Sequence, residues 1–163
     1  MYNADETGLY YRATPDGSLD YKHIPLSSYK KSMNRITLLF CTNMSGTDKR
    51  NLLMIGKSAR SRCFKGLRIE GLPVEYHANK NEWMTSQMFR SWLTSWHRNL
   101  KHEHRNVLLL VDNYAAHPHL DNLQNIQLEF LPPNTTSLIQ SIGIGEILNE
   151  SVFTYYPQDC NHI

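Results

Sequence analysis

Asp5 and Asp112 are the residues of this 163-residue chain best placed, by type and context, to do chemistry. Asp5 stands in Asn3-Ala4-Asp5-Glu6-Thr7-Gly8, and Asp112 directly follows the apolar run Val107-Leu108-Leu109-Leu110-Val111. A carboxylate at the end of a buried strand is costly to desolvate unless it is paired or binds a cation. Such a strand belongs in the middle of a sheet and delivers the next residue to the carboxyl edge, where open α/β sheets place their ligands. With Asp5 on a neighbouring strand, two carboxylates share one edge and repel unless a divalent cation lies between them. That pair would support metal-assisted phosphoryl transfer, which ordinarily needs a third acidic ligand to hold two ions about 3.5–4 Å apart. In the plainer reading, Asp5 is a turn residue beside Gly8 and Asp112 opens an Asp-Asn turn; spacing alone leaves both readings standing.

The elements that must position these residues are legible as alternating strand and helix patterns. Residues 1–12 read as a short strand carrying Asp5, and Ala13-Thr14-Pro15-Asp16-Gly17-Ser18 as a loop. Residues 36–42 are β-branched and apolar, a buried strand, and residues 52–56 make its hairpin partner. Residues 74–77 suit a short extra strand. Thr85 is a candidate N-cap for a helix over about 86–100, with Met88, Phe89, Trp92, Leu93 and Trp96 on one apolar stripe. That stripe predicts core contact with a sheet rather than base stacking by the tryptophans. Residues 107–112 form a central strand covered on both faces, 118–122 a short helix, and 126–131 a last strand stopped by Pro132-Pro133. The order predicts a mixed sheet with helices on its faces.

Composition narrows the partners. With 40% hydrophobic and 10% aromatic residues the chain is an ordinary globular domain, and no apolar run approaches the roughly 18 residues of a membrane span. A signal peptide is not expected. The three cysteines, Cys41, Cys63 and Cys160, form no C-x-x-C pair, so a reducing compartment is the expectation. Net charge is only +2, but Lys57, Arg60, Arg62, Lys65 and Arg68 fall in a stretch without an acid. His97, Arg98, Lys101, His102, His104 and Arg105 make a second cluster, opposed only by Glu103. Such clusters neutralise phosphates, or simply solvate a loop and a helix end. His102-x-His104 and His117-x-His119 are weak signals for metal.

Several stretches carry a resemblance to a known family: Asn3-Ala4-Asp5-Glu6-Thr7-Gly8-Leu9, Arg35-Ile36-Thr37-Leu38-Leu39, Ile55-Gly56-Lys57-Ser58, and Trp83-Met84-Thr85 with Trp92-Leu93. Strongest are Leu110-Val111-Asp112-Asn113-Tyr114-Ala115-Ala116-His117-Pro118 and Phe130-Leu131-Pro132-Pro133-Asn134-Thr135-Thr136-Ser137-Leu138-Ile139-Gln140. Together they resemble the DDE superfamily endonuclease domain of pogo/Tigger-type transposases, the group that includes the jerky proteins and centromere protein B. The resemblance covers about residues 2–147, in order. It implies an α/β fold of the RNase H-like kind, with a mixed five-stranded sheet flanked by helices, and a domain over residues 1–147 truncated at both edges. Residues 148–163 then form a divergent tail.

The resemblance also implies roles. Asp5 would bridge two Mg²⁺ or Mn²⁺ ions and Asp112 would hold one, for cleavage of a DNA phosphodiester and attack of the freed 3′-hydroxyl on target DNA. The third aspartate of the family falls at Gly143, in Gln140-Ser141-Ile142-Gly143-Ile144-Gly145, where there is no ligand. Glu146, one helical turn on, is a candidate replacement, although the rise of about 5.4 Å counts against it. Glu6 points to the opposite strand face from Asp5 and is a poor substitute. Asn113, His117 and Asn134 shape the motif, with His117 hydrogen-bonding near Asp112. The expected protein is a nuclear, DNA-binding remnant with Lys57, Arg60, Arg62 and Lys65 on the nucleic acid. Its catalysis is impaired or absent, it takes no small-molecule or membrane partner, and self-association is open. An active nuclease using Asp5, Asp112 and Glu146 is the alternative, followed by a protein-interaction scaffold and a functionless transposon remnant.

Overall fold

The computed structural model describes residues 1–10, 35–60, 64, 68–71 and 74–132. Its centre is a six-stranded sheet in the order β4-β3-β2-β1-β5-β6, one strand more than expected. The strands are β1 (Tyr2–Tyr10), β2 (Arg35–Asn43), β3 (Leu53–Gly56), β4 (Glu75–Ala78), β5 (Val107–Val111) and β6 (Ile126–Phe130). β4 is the added member: residues 74–77 read as a strand in the sequence, but the family resemblance did not count it. It pairs parallel to β3, from Leu53↔Glu75 to Gly56↔Ala78.

The first three strands form an antiparallel meander, with Asp5↔Phe40 and Glu6↔Leu39 across β1 and β2, and Ile55↔Thr37 across β3 and β2. β5 runs parallel to both β1 and β6. Five strands therefore point one way, β2 alone runs against them, and the carboxyl ends of β1, β3, β4, β5 and β6 lie along one edge.

One face of the sheet is covered by α1 (Ser86–His102), the one helix longer than a single turn among the described residues. The expected N-cap holds: the Thr85 side chain accepts from the Met88 amide at 3.3 Å. The helix stops after His102, and His104 takes a left-handed φ of 53° that turns the chain towards β5. Phe89, Trp92, Leu93, Trp96 and Leu100 are all buried, on the stripe the 3.6-residue period requires. They pack on Tyr2 and Ala4 of β1, Leu39 and Cys41 of β2, Leu53 and Ile55 of β3, and Val107, Leu109 and Val111 of β5. Trp92 and Trp96 are core residues, with no exposed ring to offer a base. A second, smaller cluster of Ile36, Leu38, Phe40 and Met54 lies on the other face.

Two local expectations are corrected. Residues 118–122 form no helix: the stretch is irregular with a turn at its end, as the proline and the run of small and polar residues around it permit. β5 is not sealed on both faces. Val107, Leu109 and Val111 are buried against α1, whereas Leu108 and Leu110 on the other face are half-buried.

At the amino edge, away from Asp5 and Asp112, Arg105 ties three segments together. It donates from Nη2 to Asp48 at 2.9 Å and to the Tyr2 hydroxyl at 2.8 Å, and the Tyr2 hydroxyl donates to Asp48. This draws one member of the second basic cluster into a structural role.

Because Phe89 is fully buried at the centre of the α1 stripe, Phe89→Ala is expected to cost about 3–5 kcal/mol. Urea unfolding followed by far-ultraviolet circular dichroism measures that loss.

Candidate metal centre at the carboxyl edge

The parallel pairing of β1 with β5 places the acidic residues. Its pairs are Tyr2↔Leu109 and Asn3↔Leu110, so the same register continued two residues would bring Asp5 level with Asp112, which follows the last residue of β5. Residues 5 and 6 then separate by the two-residue strand period. Asp5 lies on the face of Phe40, its cross-strand partner, and Glu6 on the α1 face with Leu39.

His117 closes the site from the α1 side. Its side chain is only 1% exposed, and its ring lies 4.2 Å from that of Phe89, centre to centre. Nε2 lies 2.7 Å from Glu6 Oε1. Nδ1 lies 3.1 Å from the backbone carbonyl of Asp112 and 2.8 Å from Asp112 Oδ1. The carbonyl is the aligned acceptor. Oδ1 sits at ion-pair distance but receives no aligned hydrogen bond among the described residues, although it is itself buried.

The charges act on one another. Burial alone would lower the His117 pKa, but Asp112 and Glu6 outweigh it and push the imidazole up to about 10. At neutral pH His117 is thus an imidazolium held between two carboxylates, and both ring nitrogens donate. Asp5 is pushed up to about 6, by burial first and then by the negative charges of Glu6 and Asp112. Asp5 therefore sits in an environment that resists its ionised form, an arrangement a cation would relieve.

Hard oxygen donors of this kind suit Mg²⁺ or Mn²⁺. The resisted charge of Asp5, beside the Asp112 carboxylate, fits that role, since a bound cation would offset it. Glu6, Asp112 and His117 also bring ligand atoms within 4.8 Å of one another, a cluster that could hold a metal ion. Both nitrogens of His117 already face carboxylates, however, so a proton rather than a metal explains that cluster as it stands.

The other expected residues divide. Asn113 is exposed beside Asp112. Lys57 and Arg60 are exposed just beyond the carboxyl end of β3, where the Tyr76 hydroxyl donates to the Ser58 carbonyl at 2.6 Å. His119 is not brought to the site; it stacks on Phe130 with ring centres 4.1 Å apart. Arg62, Lys65, Asn134, Gly143 and Glu146 lie outside the described residues. Glu6 is the residue sequence reasoning undervalued. It does face away from Asp5, but Asp112 at its strand end reaches round towards the α1 face, and the five-residue turn to His117 closes on Glu6.

The pH dependence of stability follows from these shifts. Asp5 in the folded protein titrates above its ordinary value of 3.8, so its contribution favours folding below about pH 3.8 and is lost as pH rises through about 6. Asp5→Asn should match the wild type near pH 4. Above pH 6 it should be more stable by about 1 kcal/mol, after allowance for the partial exposure of the carboxyl. His117 also has a raised folded-state value, so its contribution is whole below about 6.5 and disappears as pH climbs through about 10. Urea unfolding between pH 4 and pH 10 tests both signs, the second as a loss of stability on the alkaline side that is smaller in Glu6→Gln, where Asp112 alone still holds the imidazolium.

The comparisons with known proteins bear on this site. The family model for the DDE superfamily endonuclease matches residues 33–158. The chain is 40% identical over 147 residues to the mouse (Mus musculus) Tigger transposable element-derived protein 4, covering 90% of this chain and 28% of that protein. It is 34% identical over 156 residues to the human Jerky protein homolog, covering 89% of this chain and 27% of the homolog. With the human major centromere autoantigen B it shares 34% identity over 140 residues, 83% of this chain and 22% of the relative. The chain thus spans about a quarter of the length of these relatives. No solved structure matches it. With the family model matching residues 33–158 and these relatives aligned over most of its length, the chain belongs to the DDE superfamily of endonucleases, of the Tigger and Jerky kind.

Proposed function

We propose that this domain binds DNA at the carboxyl edge of its sheet and retains two of the three metal-holding carboxylates, Asp5 and Asp112, with strand cleavage impaired by Gly143. The observation that carries the reading is the β1–β5 register, which runs Asp5 and Asp112 to one edge, where burial and the neighbouring charges of Glu6 and Asp112 disfavour the ionised form of Asp5. Groups kept at such a cost to stability are characteristic of functional sites. The sheet order, with β2 alone antiparallel, supports taking the architecture as RNase H-like.

Asp5 and Asp112 are the residues that would hold Mg²⁺ or Mn²⁺. Such an ion, when bound, lowers the pKa of water and neutralises charge on a phosphoryl group. The chain's own residues hold that position open. His117 keeps the Asp112 backbone in place, and its contact with Glu6 leaves Glu6 engaged on the α1 side rather than free to replace the missing third ligand. Exposed Lys57 and Arg60, on the same edge beyond β3, are placed to meet phosphates, and Arg62 and Lys65 extend that run in the sequence. A nucleus is the compartment this partner implies.

The test is Mn²⁺-dependent nicking of supercoiled duplex DNA. The natural chain should nick at background, and Gly143→Asp should raise the rate by about 100-fold, since a restored ligand bears on several kcal/mol of transition-state stabilisation. Strong nicking by the natural chain that disappears in Asp5→Ala would overturn the impairment and turn attention to Glu146. Lys57→Ala with Arg60→Ala should weaken duplex binding and flatten its salt dependence by about two units of slope.

A further inference from the structure

We infer that Glu6 and His117 are positioning residues for Asp112, a clamp that fixes the metal-facing carboxylate by tying the β5 end to β1. The inference rests on the two-carboxylate reading above and deepens it, because Glu6 has no place in that reading as a ligand.

Four observations converge. His117 is 1% exposed and cannot be a solvated surface histidine. Its ring packs against that of Phe89, tilted by 34° with centres 4.2 Å apart, and edge-on against Tyr114 with centres 5.9 Å apart, so it has little freedom to turn. Its Nδ1 faces the Asp112 carbonyl at 3.1 Å and Oδ1 at 2.8 Å, so it touches both the backbone and the side chain of the same residue. Its Nε2 faces Glu6 Oε1 at 2.7 Å, and Glu6 is itself only 15% exposed. Glu6 sits mid-strand in β1, paired with Leu39 of β2, and so presents a rigid anchor.

The connection after β5 is irregular and would otherwise leave Asp112 to wander. A hydrogen bond from a ring to a backbone carbonyl sets where the residue begins, and the ion pair sets where its carboxylate lies. The order Glu6–His117–Asp112 is thus that of an outer carboxylate orienting a histidine that in turn orients a ligand. Removing such outer partners in metal sites typically costs 10–100-fold in metal affinity.

The experiment is Mn²⁺ titration by isothermal calorimetry of the whole chain as wild type, Glu6→Gln and His117→Ala, together with the Asp112 ¹³Cγ resonance and the thermal midpoint of each. Glu6→Gln is the informative variant, since it keeps an acceptor for Nε2 and the side-chain volume, whereas His117→Ala removes a buried ring and can fail to fold. The expected result is a Glu6→Gln protein that is folded, binds Mn²⁺ about 10-fold more weakly and shows a displaced Asp112 ¹³Cγ resonance. Glu6→Asp, which keeps the charge on a shorter arm, should recover part of the affinity. A folded Glu6→Gln protein with unchanged affinity and an unchanged resonance overturns the clamp and leaves Glu6 a purely structural partner. Should the wild type bind no Mn²⁺, the two-carboxylate reading fails instead, and the clamp stands or falls on the Asp112 resonance alone.

Discussion

The parallel contact between β1 and β5 is the constraint on which the site depends. It joins residues more than a hundred positions apart through Tyr2↔Leu109 and Asn3↔Leu110, and without it Asp5, Glu6, Asp112 and His117 would have no common edge. Nothing local to either strand enforces the contact. It is held by what lies above it, where Tyr2 and Ala4 of β1 and Leu109 and Val111 of β5 share one core with Phe89, Trp92 and Trp96. The free energy of that apolar burial is what allows several charged groups to be gathered at one end of the sheet at all. One of those groups is a net cost, the ionised Asp5; the buried imidazole is not, because its two carboxylates outweigh its desolvation.

The division of labour along the sheet is consistent with this. The amino edge carries Tyr2, Asp48 and Arg105 in a mutually satisfied network. The carboxyl edge carries an Asp112 oxygen without an aligned donor and an aspartate whose ionised form is resisted.

Much of this was readable in the residues, and for particular reasons. The α1 stripe obeys a period that only a helix satisfies, and Thr85 has the side chain its first turn requires. The five-residue apolar run ending at Asp112 could only be an internal strand, so the placing of that aspartate at a strand end followed directly. What was not readable depended on the path of irregular chain. A short helix over residues 118–122 lacks the apolar period that would bury it. The partial exposure of Leu108 and Leu110 depends on what covers the second face, which no local pattern encodes. Glu6 is the instructive case. Strand alternation sends it away from Asp5 and makes it a poor substitute for a third ligand, yet the turn after β5 brings His117 back onto the same face. A two-residue period describes one strand; it is silent about a loop that returns from another.

On this reading Asp5 and Asp112 are kept together for a cation rather than for folding. The most direct measurement is the thermal midpoint of the protein with and without millimolar Mn²⁺, in the wild type and in Asp112→Asn. Selective binding to the folded state raises the midpoint through mass action, by about 2–4 °C for each kcal/mol at this chain length. The expected result is a rise in the wild type that is absent in Asp112→Asn. Equal midpoints with and without the ion in a folded wild-type protein, or an equal rise in both proteins, would contradict it.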